Sequence, residues 1–132
     1  DAILLVAADW RFRTLIRAQL LEEGFEVSAW PSLEYALAHL LRGGEPPQLI
    51  ILDVEGIEIN ARVVADVWQL ASQAPLVVCA GAYSQAQLGQ DGFPPALVLL
   101  RPFRVEDVVQ QVWNVLGRSE REQTARGEDA AE

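Results

Sequence analysis

The residue with the clearest chemical potential in this sequence is a carboxylate without companions. Asp53 ends the run Gln48-Leu-Ile-Ile-Leu-Asp53, an apolar stretch that should carry it to the end of a buried strand. The first apolar run, Ile3-Leu-Leu-Val6, should lie beside it, yet it continues into Ala7 and Ala8, with Asp9 one position later. Phosphoryl and metal chemistry at a strand-end carboxylate needs neighbouring acids to hold a cation that neutralises the transferred or bound oxygens. Alanine offers no such ligand. Arg101 is the group best suited to compensate, since a guanidinium can pair with Asp53 permanently. The same pair also serves as a structural device that satisfies a half-buried carboxylate, and we take this as the simpler reading.

The remaining reactive groups are sparse. One Cys and one His do not make a metal site. Cys79 ends an apolar run with no base near it in sequence, so it reads as a small buried hydrophobe. His39 lies among Leu37, Leu40 and Leu41 and reads as a surface or boundary residue. Gly81, Gly89 and Gly92 do not form a phosphate-cradling loop. No cofactor is expected. The net charge of −9 argues against nucleic-acid binding by this domain, because phosphates need a basic surface. No apolar run approaches the roughly 20 residues of a membrane span, and no signal-peptide pattern is present. A single cysteine fits a reducing, cytoplasmic compartment. The chain has no Met and opens on Asp1, which reads as a piece trimmed from something longer.

The elements that must position these residues alternate. Ala2 to Val6 is a continuous apolar run, as in a strand buried on both faces. Arg11 to Glu23 has Phe12, Leu15, Ile16, Gln19 and Leu20 at helical spacing, with Asp9 as N-cap and Gly24 as stop. Glu26 to Trp30 reads as an outer strand. Pro31-Ser32 opens a second helix bearing Leu33, Ala36, Leu37, Leu40 and Leu41. Leu49 to Val54 is a third strand. Ile59, Val63, Val64, Val67, Leu70 and Ala71 mark a third helix with Asn60 near its start, which places Trp68 in the core or at its edge. Leu76 to Ala80 and Ala96 to Leu100 are the last strands. Between them only a short helix, over Ser84 to Gly89, is expected. Val105, Val108, Val109, Val112 and Leu116 give a final helix. Residues 1–117 read as one domain and residues 118–132 as a charged linker or disordered tail. Strands alternating with helices imply an α/β parallel sheet covered on both faces. The loops after strands one, three, four and five, Ala7–Asp9, Asp53–Glu55, Ala80–Gly81 and Arg101–Pro102, should converge at one edge.

In order and spacing, Ile3-Leu-Leu-Val-Ala-Ala-Asp-Trp-Arg-Phe-Arg13, Glu22-Glu-Gly-Phe-Glu-Val27, Leu49-Ile-Ile-Leu-Asp53 and Arg101-Pro-Phe103 resemble the receiver domain of two-component response regulators. The likeness runs from about Ile3 to Leu116. It implies a flavodoxin-like, CheY-like doubly wound five-stranded sheet of order 2-1-3-4-5, here with a short or degraded fourth helix. It also implies that Asp53 stands at the phosphoacceptor position. Ala7 and Ala8 replace the Mg²⁺-binding acids, Ala80 the hydroxyl residue that bonds the phosphoryl group, Val98 the aromatic switch residue and Arg101 the usual Lys. A cis bond at Arg101-Pro102 is common there.

These departures point to a degenerate, or pseudo-, receiver. It would be a non-enzymatic protein-interaction module of bacterial signalling that works without Mg²⁺-dependent phosphorylation. Its partners would be a kinase, an effector domain or another receiver, including a homodimer, and neither nucleic acid nor membrane. Trp10, at the active edge, reads equally as a lid or a partner anchor. Trp113 reads as partly packed, with an interface as its other use. Two alternatives fit the same residues. In one, Asp53 is still phosphorylated by a histidine kinase, with Asp9, Glu55 or a carbonyl helping to hold the metal. In the other, the chain is a flavodoxin-like small-molecule-binding domain or enzyme.

Overall fold

The computed structural model describes residues 2–90 and 92–117. The proposed tail over 118–132 lies outside them. The order is β1 (Ala2–Val6), α1 (Trp10–Glu22), β2 (Glu26–Trp30), α2 (Leu33–Leu41), β3 (Leu49–Asp53), α3 (Ala61–Ala71), β4 (Leu76–Ala80), α4 (Ala82–Gln90) and β5 (Leu97–Leu100). A last helix, α5, covers residues 105–117. The five strands form one sheet in the order β2-β1-β3-β4-β5, and every pairing is parallel. This is the order that the resemblance implies.

The sheet sorts its side chains by parity, as the period of a strand requires. Ile3, Leu5, Leu49, Ile51, Val77 and Cys79 face Ile16 and Leu20 of α1 and Val108 and Val112 of α5. Leu4, Val6, Ile50, Leu52, Val78 and Ala80 face α2, α3 and Leu88 of α4. β1, β3 and β4 are central, covered on both faces, and read as unbroken apolar runs. Three helices begin with side-chain caps. Asp9 accepts from the Arg11 amide at 2.9 Å, Ser32 from Tyr35 at 3.3 Å and Asn60 from Val63 at 2.9 Å, which satisfies amides that the helix itself leaves free.

Two expectations need correction. The fourth helix is short but extends past Ser84 to Gly89 at both ends. It runs from Ala82 to Gln90, as long as α2 at nine residues, and it anchors through buried Leu88. Gly89 lowers helix propensity by about 1 kcal/mol without ending the helix. Trp68 is not core. Val67 and Leu70 fill the buried face of α3, and Trp68, about 100° further round, stands 49% exposed. Its indole N–H donates to the carbonyl of Gly92 at 2.7 Å, so it braces the α4–β5 loop instead.

Candidate functional site

Asp53 is the one buried polar or charged residue among the described residues. β3 presents it on the same face as Leu49 and Ile51, toward α1 and α5. Both carboxylate oxygens are engaged. Oδ1 accepts from the Glu55 amide at 3.1 Å, and Oδ2 accepts from Arg101 Nη2 at 2.8 Å.

Arg101 is fixed from several sides. Its backbone N–H donates to the Ala80 carbonyl at 2.9 Å, which continues the β4–β5 pairing one step past the strand. The Arg101-Pro102 bond is cis, as the resemblance implies. The guanidinium carbon lies 5.1 Å from the ring centroid of Phe12 and 5.1 Å from that of Phe103. The two rings meet edge to face at 6.0 Å. Nη1 is buried with no hydrogen-bond acceptor, and the ring faces give the cation partial electrostatic compensation. The guanidinium is thus held between two aromatic rings and one carboxylate.

Most oxygens of the neighbouring loops are already engaged. Ala7 is fully buried, and its carbonyl accepts from Arg13 Nη1 at 2.7 Å; the same nitrogen lies 3.5 Å from the Ala8 carbonyl. Ala8 and Asp9 are exposed, and the Asp9 carboxylate is occupied as the α1 cap. Ala80 is fully buried. The side chain of Glu55 folds across the edge of β4, with Oε1 2.7 Å from where a Cβ on Gly81 would stand. The Gly81 backbone is not left-handed, so glycine there makes room for this carboxylate and is not demanded by the turn.

A divalent cation of the kind that the resemblance implies does not fit this donor set. Mg²⁺ takes oxygen ligands in an octahedron. Here the buried carboxylate and the Ala7 carbonyl already receive guanidinium donors from Arg101 and Arg13. No group of three acidic, His or Cys side chains among the described residues could hold a metal.

The other candidates scatter. Val98, on β5 opposite Val78, lines a shallow cavity with Leu88, Phe93 and Pro94. It is 38% exposed and, level with Val78, lies on the sheet face opposite to Asp53. Trp10 is 61% exposed, with the Arg11 guanidinium 5.6 Å from its ring. Trp113 packs on Phe25 at 4.8 Å and donates to Glu23 at 3.3 Å. His39 is half-buried and stacks on Trp30. Cys79 pairs in register with Asp53; burial first and Asp53 second, against Arg101, together push its thiol up to about 12. Its role as an inert hydrophobe follows.

Sequence reasoning missed the roles of four residues. Phe12 was legible as a core position of the first helix and Phe103 as part of Arg101-Pro-Phe103, but their use as a clamp on Arg101 was not. Nothing in the spacing marks Arg13 as the donor to Ala7, or Glu55 as the group over Gly81.

No family model and no curated protein matches the sequence. Solved structures do match it. NtrX from Brucella abortus in complex with ATP superposes with a TM-score of 0.71 at 20% identity, over 95% of this chain and 29% of that one. A response regulator receiver protein from Sinorhizobium medicae WSM419 gives 0.71 at 20% identity over 88% and 94%. The Vibrio cholerae chemotaxis protein CheY4 gives 0.66 at 20% identity over 86% and 97%. The chain therefore spans under a third of NtrX and nearly all of the other two. The fold is that of response-regulator receiver domains, an α/β flavodoxin-like sheet of the CheY type.

Proposed function

We propose that this chain is a pseudo-receiver, a non-enzymatic signalling domain that works through protein contacts and holds Asp53 in a standing ion pair with Arg101. The observation that carries the reading is the occupancy of Asp53. A carboxylate acts as nucleophile toward a phosphoryl group only with a free oxygen and a counter-charge free to follow the transferred oxygens. Asp53 is fully buried, one oxygen bonds the Glu55 amide and the other bonds a guanidinium that two rings hold in place. Ala80 brings no hydroxyl to bond a phosphoryl oxygen, and Val98 has no ring to rotate in response. Acceptor chemistry and its readout are weakened together.

The partners under this reading are kinases, effector domains or other receivers in the cytoplasm. Among the described residues, no helix is long and apolar enough to cross a membrane. The test is incubation with acetyl phosphate and Mg²⁺ followed by intact-mass measurement. The expected result is no phosphoryl adduct. A substantial Mg²⁺-dependent adduct that Asp53→Asn abolishes would overturn the proposal and establish Asp53 as a working phosphoacceptor.

A further inference from the structure

Helix α1 is apolar on two sides. Its inner side buries Ile16 and Leu20 against the sheet. Its outer side carries Leu15, 56% exposed, and Leu21, 42% exposed, with exposed Ala18 between them. At about 100° per residue, Arg11, Leu15, Ala18 and Glu22 fall on one narrow outer stripe, and Thr14 and Leu21 lie along one edge of it. All six are exposed. Cation and anion sit at opposite ends of this stripe. Arg13 is turned inward onto the Ala7 carbonyl and Glu23 is taken by Trp113. Arg11 and Glu22 make no ion pair among the described residues.

From this arrangement we infer that the outer face of α1 pairs with the same face of a second copy of the chain, antiparallel about a two-fold axis at Ala18. A two-fold interface must be self-complementary, because each contact is made twice with roles exchanged. The stripe meets that condition. With a rise of about 1.5 Å per residue, Arg11 lies about 10 Å from Ala18 along the helix and Glu22 about 6 Å on the other side. Reversal in the second copy brings Arg11 and the opposing Glu22 within about 5 Å along the axis, on the same side of the seam, and does so twice. Leu15 comes level with the opposing Leu21 along the axis, on the other side of the seam, so leucines stand on both sides of the central Ala18. Ala18 at the centre has no bulk to hold the helices apart, so the common interaxial distance of about 8–10 Å is reachable. A helix from an unrelated partner would need no such reversal of charge about a small central residue.

The pairing does not depend on Asp53 chemistry, so its failure and that of the pseudo-receiver reading are read separately. Sedimentation velocity on the full chain over a concentration series is the measurement. The expected result is a concentration-dependent dimer that weakens as salt rises. Arg11→Glu alone and Glu22→Arg alone each place like charges opposite one another and should weaken it by about tenfold or more. An equimolar mixture of these two variants restores opposite charges at both contacts, so it should associate where each alone does not. Ala18→Glu should also give a monomer, with an unchanged circular-dichroism spectrum because the position is exposed. A wild-type chain that stays monomeric throughout overturns the inference. So does a dimer indifferent to these changes, or a mixture that fails to recover. Capture of a different protein by this face without self-association overturns it as well.

Discussion

An unpaired carboxylate as deeply buried as Asp53 would cost several kcal/mol, so Arg101 is first of all what makes this residue tolerable. The clamp by Phe12 and Phe103 makes the pair specific to arginine, since a lysine ammonium offers neither a planar face to the rings nor a fork to the carboxylate. Arg101→Ala should destabilise the chain by about 2–4 kcal/mol in urea unfolding, below the full buried-pair penalty because part of the Arg101 side chain meets water. Arg101→Lys should recover only part of that loss. If Arg101→Ala were neutral, the pair would have no structural role. Cys79 provides a second measure of the same buried edge. Its thiol is raised from 9.0 to about 12, first by burial and then by Asp53. A folded-state value above the unfolded one means that the unfolded chain releases the proton first as pH rises. The contribution of Cys79 to stability is therefore complete below about 9 and is lost progressively as pH climbs from 9.0 toward about 12. Cys79→Ala should flatten the alkaline limb of the stability curve in this window, and native Cys79 should resist thiol labelling at neutral pH.

Helices and strands differ in how plainly their patterns announce them. The central strands were legible as unbroken apolar runs because two helix layers cover them. The caps at Asp9, Ser32 and Asn60 stand at or within a residue of where side-chain chemistry suggested. α4 was underestimated because, among its described residues, Leu88 is the one buried anchor, so the periodic signal is weak, and because Gly89 reads as a breaker. The structure uses Gly89 for no special purpose: its backbone is not left-handed, and a Cβ there would meet nothing within 4 Å. Gly89→Ala should thus stabilise the chain by about 0.5–1 kcal/mol through helix propensity and a less flexible unfolded state, measured by thermal or urea unfolding. A destabilising result would mean that α4 opens or packs differently in solution. The Trp68 error has a comparable source, since helical spacing alone does not say which side of a buried stripe an adjacent aromatic will take.

At the scale of the molecule, the receiver fold is complete, while under the pseudo-receiver reading the cation-binding chemistry that the resemblance implies is not. Fold and site are physically separable. Unbroken apolar strands and crossover handedness build the sheet, and a few strand-end side chains decide what it can do. The identity of those side chains was readable from the sequence alone: Ala7, Ala8, Ala80 and Val98 lack the atoms for cation, phosphoryl and ring-switch roles wherever they lie. So were the layered α/β class and the convergence of four loops at one edge, because periodicities of two and 3.6 residues declare themselves locally. The tertiary structure alone decided what took up the freed interactions. Arg101 and Arg13 reach their oxygens from distant or inward-turned positions, Phe12 and Phe103 come together from opposite ends of the chain, and the outer stripe of α1 is left uncovered. Each depends on which surfaces meet across the fold, and linear spacing does not encode that.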